Sequence, residues 1–337
     1  MAKIVFGAGV SHTPMLALDA RDWEFRASAD FDNPRLNLSD GRWVTYAELE
    51  REVGKVYADV ARFEVYQKKS AASQAALDRV ADELEAAAPD VVIIVGDDQE
   101  ELFSGANQPV IAVYHGEELT THDSFGSESN PEWIRTVARG YAMDRCRAFP
   151  GAPQLALELI AGLMQRGVDV STLSEVVDPK VAGFGHAFGF VIQRLFRGRR
   201  IPVIPVLLNT YYPPNVPTPS RCFEIGTALR GSIEDANMGA RVGIVASGGL
   251  SHFVVDETLD RRVLQGLGGD SELLVTLPRG ALHAGSSEIL NWILVAGAVG
   301  ARPLRWSDYQ PIYRTPAGTG VGVGFAVWDI AEEARVA

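Results

Sequence analysis

The chain has 337 residues, 47% hydrophobic and 22% charged, a balance that buries a sizeable core and excludes a disordered or low-complexity protein. A formal charge of −12 with no long run of Lys or Arg speaks against nucleic acid as a partner. No apolar stretch is long enough to span a membrane, Met1 to Gly9 lacks a cleavage pattern, and two distant cysteines suit neither a zinc cluster nor a disulfide scaffold. The expectation is a cytoplasmic chain with no membrane partner, in which Cys146 and Cys222 are buried, inert thiols.

Lys3 to Gly9 (KIVFGAG) reads as a strand that stops just before Ser11-His12-Thr13-Pro14, which places His12 in the loop leaving it. Residues 15 to 44 are polar and predict a long surface excursion. Thr45 and Glu48 have the spacing of a capping box and open a helix running towards Arg62, and a second helix covers Tyr66 to Ala88. Asp90 to Gly96 (DVVIIVG) has the continuous apolar character of a strand covered on both faces, and it ends in Asp97-Asp98-Gln99-Glu100. Pro109 to Tyr114 is a similar strand ending at His115. Helical patterns follow over Pro131 to Arg147, Ala152 to Arg166 and His186 to Phe196. Ile201 to Leu208 then gives a strand ending in Asn209-Thr210-Tyr211-Tyr212-Pro213-Pro214, with a helix over Pro219 to Ala236. Arg241 to Ser247 is a further strand, ending in Gly248-Gly249-Leu250-Ser251-His252, and a helix spans Ser287 to Val299. Gly318 to Gly324 (GTGVGVG) reads as a terminal strand continuing through Phe325 to Asp329, because it lacks the glycine spacing of a nucleotide loop.

This alternation predicts one α/β domain over 1–337, with a central, largely parallel mixed sheet and helices on both faces. Ligands bind such sheets at the carboxyl ends of the strands, where the polar clusters fall. Gly7-Ala8-Gly9 is a poor dinucleotide fingerprint, because His12 occupies the third glycine position, and neither a phosphate loop nor a nucleophile elbow occurs. Of the six histidines, His12, His186 and His252 stand at strand ends or beside glycines, where an imidazole is free to bind a metal or move protons. His122 and His283 are read as structural.

Five ordered segments, Ser11-His12-Thr13-Pro14, Gly185-His186, the Asn209 to Pro214 run with Arg221-Cys222-Phe223, Gly248 to His252, and Glu288-Ile289-Leu290-Asn291-Trp292, together resemble the class III extradiol dioxygenases. This is the family of protocatechuate 4,5-dioxygenase catalytic subunits, and the likeness is greatest to its gallate and 3-O-methylgallate branch. The resemblance implies a non-haem iron(II) enzyme that opens the ring of a catechol-type aromatic acid with dioxygen as co-substrate. It implies His12 and Glu288 as iron ligands, His252 as acid/base and His186 as a second-sphere group near the substrate. Asp97-Asp98-Gln99 replaces the family's Asn-Asp-His, so Gln99 is the expected third ligand, with His115 as the other possible donor. Tyr211, Tyr212 and Trp292 are candidate aromatic walls for the substrate. A homodimer is expected on symmetry base rates, and a hetero-oligomer with a small partner subunit is its alternative. Two other functions stay open: a zinc-dependent hydrolase on the same fold, and a catalytically silent, metal-poor subunit supporting an active partner.

Overall fold

In the computed structural model, residues 1–330 are described. β1 (Lys3–Val10), β2 (Val91–Gly96), β3 (Ile111–Tyr114), β4 (Ser171–Leu173), β5 (Val203–Leu208), β6 (Arg241–Ser247), β7 (Leu304–Tyr313) and β8 (Gly320–Trp328) form one sheet in the order β7-β8-β1-β6-β2-β5-β3-β4. The central strands β1, β6, β2 and β5 are mutually parallel, while β8 runs against β1 and β3 runs against β5. The α/β class and the mixed, largely parallel sheet agree with the expectation.

β2 shows why its sequence is apolar throughout. Side chains alternate faces along a strand. Val91, Ile93 and Val95 pack with the helices Pro153–Gln165, Pro219–Asp235 and Ile289–Val299, whereas Val92 and Ile94 pack with Phe63–Ala87 and His186–Leu195. Both faces are dry, so no polar alternation survives. No helix among the described residues is long and apolar enough to cross a membrane.

Several expectations need correction. Residues 15 to 44 are not a bare excursion: they carry the helix Trp23–Phe31, and Met15, Leu16, Leu18, Trp23 and Leu36 are buried. The Thr45/Glu48 capping box is present, but its helix (Tyr46–Val53) stops at Gly54, whose φ of 72° takes the chain out of the helix well short of Arg62. The helix expected over Pro131 to Arg147 covers only Glu132–Gly140, because Ala142 adopts a left-handed φ of 55°. β7 and the helix Glu257–Leu267 went unrecognised. β7 is an edge strand whose residues are mostly half-exposed and include Pro311, a pattern that argues against a strand from sequence alone. Burial pushes the Cys222 thiol well up, in keeping with an inert group, while Cys146 is only partly buried.

Candidate metal centre

Because β1, β2, β5 and β6 point the same way, their carboxyl ends deliver His12, Gln99, Tyr211 and His252 to one edge of the sheet. Two further groups arrive from the faces: His186 begins the helix His186–Leu195, and Glu288 ends the short 3-10 turn Ala284–Glu288 ahead of Ile289–Val299. All of them line one cleft of about 640 Å³.

His12, His186 and Glu288 are the core of the site. One ligand-capable atom from each lies within 4.8 Å of the others. The imidazoles are oriented by bonds on their far sides. His12 Nδ1 lies 2.9 Å from Ser247 Oγ, and that hydroxyl gives its own proton to the Ala187 carbonyl (2.6 Å), so Nδ1–H is the donor and Nε2 carries the lone pair. His186 Nδ1 donates to the Glu101 carboxylate, which leaves Nε2 facing the cleft. His252 Nδ1 donates to the Leu250 carbonyl (2.8 Å), again leaving Nε2 free. Glu288 is fixed by the Gly249 N–H on Oε2 (2.5 Å) and by the Tyr211 hydroxyl on Oε1 (3.2 Å).

The result is a convergence of acceptors. His12 Nε2 lies 3.2 Å from Glu288 Oε2, and among the described residues it is a buried nitrogen with no hydrogen-bond partner. His252 Nε2 lies 3.4 Å from Oε1. Lone pairs and a carboxylate at such range form an arrangement that a bound cation satisfies. Burial opposes charge on His186, but Glu101 outweighs it and raises the ring's pKa to about 10, so without a metal the ring holds a proton on Nε2 that a bound metal would displace. Burial pushes Glu288 up, yet His12 and His252 hold it well below the usual carboxylate range, while burial and Glu288 raise Asp97. Two imidazoles and one carboxylate make the donor set of a non-haem iron facial triad, so these residues fit such a metal.

Gln99 reaches the edge of this cluster, but its amide nitrogen faces it, 3.0 Å from Asp97 Oδ2, 3.3 Å from His186 Nε2 and 3.4 Å from Glu288 Oε1. The two carboxylate oxygens among these neighbours are acceptors, so the amide presents its donor side. His115 is not brought to the site: β3 runs against β5, which puts the carboxyl end of β3 at the opposite edge of the sheet. Of the expected aromatic walls, Tyr211 lines the cleft and Tyr212 does not. Trp292 is wholly buried, donates to the Gly248 carbonyl (2.8 Å) and packs on Gly9, where a Cβ would come within 2.2 Å of its ring. It belongs to the core. His122, read as structural, bonds the Pro179 carbonyl through Nδ1 and also lines the cleft. His283 packs against Trp43.

The site and fold together meet a matching family model. Residues 60–324 match the catalytic LigB subunit of aromatic ring-opening dioxygenase. The chain belongs to this family. Within the LigB family setting, one curated relative is a gallate dioxygenase of Pseudomonas putida, 31% identical over 132 residues. That match takes in 36% of this chain and 38% of the relative's length. Sequence reasoning missed several groups that shape this LigB-type site: Glu101, Ser247, Tyr141 and Arg26. Glu101 had a legible signal, since it extends the Asp97 to Glu100 acidic run at the end of β2.

Proposed function

We propose that the protein is a non-haem iron(II) extradiol dioxygenase, which opens the ring of a catechol-type aromatic acid of the protocatechuate, gallate or methylgallate kind. The observation that carries this reading is the buried His12 Nε2, without a hydrogen-bond partner among the described residues and grouped with ligand-capable atoms of His186 and Glu288 within 4.8 Å of one another. His12, His186 and Glu288 hold the metal in this proposal, and His186 replaces Gln99 as the third ligand. Iron(II), when bound, supplies a Lewis-acidic and redox-active centre that brings catechol hydroxyls and dioxygen together.

The chain's own residues do the rest. His252, its Nδ1–H held by Leu250, offers Nε2 to take a proton from a substrate hydroxyl and later return it. Tyr211 keeps Glu288 in place through its hydroxyl, and Gln99 offers an N–H donor beside the cluster. Phe125, Trp133, Ile134, Val137 and Phe253 make the cleft wall apolar, which suits an aromatic ring and restricts water. A cytoplasmic homodimer is part of the same proposal, on symmetry base rates.

The test is an oxygen-electrode screen of protein reconstituted anaerobically with iron(II), against protocatechuate, gallate and 3-O-methylgallate, paired with metal analysis. Oxygen uptake that depends on iron and consumes the ring absorbance is the expected outcome. Stoichiometric zinc with no oxygen uptake would favour a hydrolase instead.

A further inference from the structure

Arg26 lies in the helix Trp23–Phe31 and lines the same cleft as the histidines, with its side chain 20% exposed. Among the described residues its guanidinium makes no hydrogen bond. Its ion-pair contact is Nη1 to Asp30 Oδ1 at 3.7 Å, beyond hydrogen-bonding length, and it stands 5.5 Å from the ring centre of Phe253. Asp30 is already occupied. Arg314 Nε and Nη2 take both of its oxygens (2.7 and 3.0 Å), and the Thr319 hydroxyl adds a third bond (2.8 Å).

Two guanidinia therefore share one carboxylate, and a net positive charge is left facing the cavity. Of the carboxylates that line the cleft, Glu101 is taken by His186, Glu288 by the cluster, and Glu100 is exposed to solvent. A desolvated guanidinium with five donors and no acceptor is costly unless something anionic arrives. Burial, followed by the neighbouring Arg314, lowers its pKa to about 10. The same cleft holds the donor set that would take ring hydroxyls, and apolar side chains are among its lining residues.

We infer that Arg26 is the residue that selects the substrate's acidic group: its guanidinium binds a carboxylate carried on the aromatic ring, while the ring hydroxyls lie towards His12, His186 and Glu288. This assignment rests on the ring-opening reading for the identity of the ring, and its test is kept separate from turnover.

Calorimetric titration of the metal-free full chain with 3,4-dihydroxybenzoate and with 4-methylcatechol reads binding alone. The carboxylated ring is expected to bind at least about tenfold more tightly, since charge-assisted bonds are the strong ones. Arg26→Met should abolish that preference and leave 4-methylcatechol binding and the melting temperature unchanged, with Arg26→Lys intermediate. On iron-loaded protein, Arg26→Met should raise KM for the carboxylated ring and spare kcat. Competition on the wild type needs no variant: benzoate should displace 3,4-dihydroxybenzoate and benzamide should not. Equal competition by benzamide, absence of the preference, or an equal loss for both rings in Arg26→Met overturns the assignment. Carboxylate binding through Arg26 without any oxygen uptake would keep it and sink the ring-opening reading.

Discussion

At the scale of single residues, the roles of His186 and Gln99 separate by what holds each of them. The far nitrogen of His186 is bonded to Glu101, the outer-shell carboxylate partner that metal-binding imidazoles commonly have. The amide of Gln99 offers a proton donor to the cluster. His186→Ala should therefore lose stoichiometric iron by metal analysis, while Gln99→Ala keeps it; the reverse result would restore Gln99 as the ligand. A second prediction concerns His252. A Cβ on Gly285 would lie 1.7 Å from its Cδ2, so Gly285→Ala must push the imidazole aside. A drop in kcat of about 10²- to 10⁴-fold with iron retained is expected, as for loss of an acid/base group. The sequence exposed His12 and His252 because each sits beside a glycine, a proline or a strand end that is visible in one dimension, whereas Glu288 was legible only through the resemblance of its Glu288-Ile289-Leu290-Asn291-Trp292 segment. Which imidazole pairs with Glu288 depends on contacts across 85 to 276 residues, between Glu101 and His186 and between His12 and Glu288, and no local pattern carries that information.

Among the elements, those with one unambiguous pattern were legible and those dependent on a neighbour were not. β2 and the Val242 to Ala246 stretch of β6 were readable because burial on both faces leaves only apolar residues there. β3 was readable as a strand but not in its direction, since a run of four buried residues is the same either way round. That reversal is what removed His115 from the site. The helix Trp23–Phe31 was hidden because its stability comes from elsewhere: Asp30 and Arg314, with side chains 1% and 3% exposed, tie it to the turn between β7 and β8. Asp30→Ala would leave that arginine buried without its partner, and a loss of about 3–5 kcal/mol in chemical denaturation is expected. A change within experimental error would mean the helix is held by its apolar face alone.

For the whole molecule, the proposed ligands couple folding to metal. His12 follows β1, His186 opens a helix on one face, and Glu288 precedes a helix on the other, so a bound ion joins both layers to the sheet. A ligand that binds only the folded state stabilises it by about 4 kcal/mol at a thousandfold excess over its Kd. Chelation should lower the melting temperature by several degrees, anaerobic iron(II) should restore it, and the His186→Ala protein should respond to neither. A melting temperature indifferent to chelator in the wild type would refute the coupling.

The position of β1 also bears on where this protein can be cut. The match to the family model begins at residue 60, yet β1 lies between β8 and β6 within the sheet. A fragment trimmed to 60–324 would lose that strand and the end of β8, opening two unpaired backbone edges inside the sheet and stranding Arg314 without Asp30. Such a piece is expected to aggregate on expression, so the boundary of recognisable kinship is not the boundary of an autonomous folding unit.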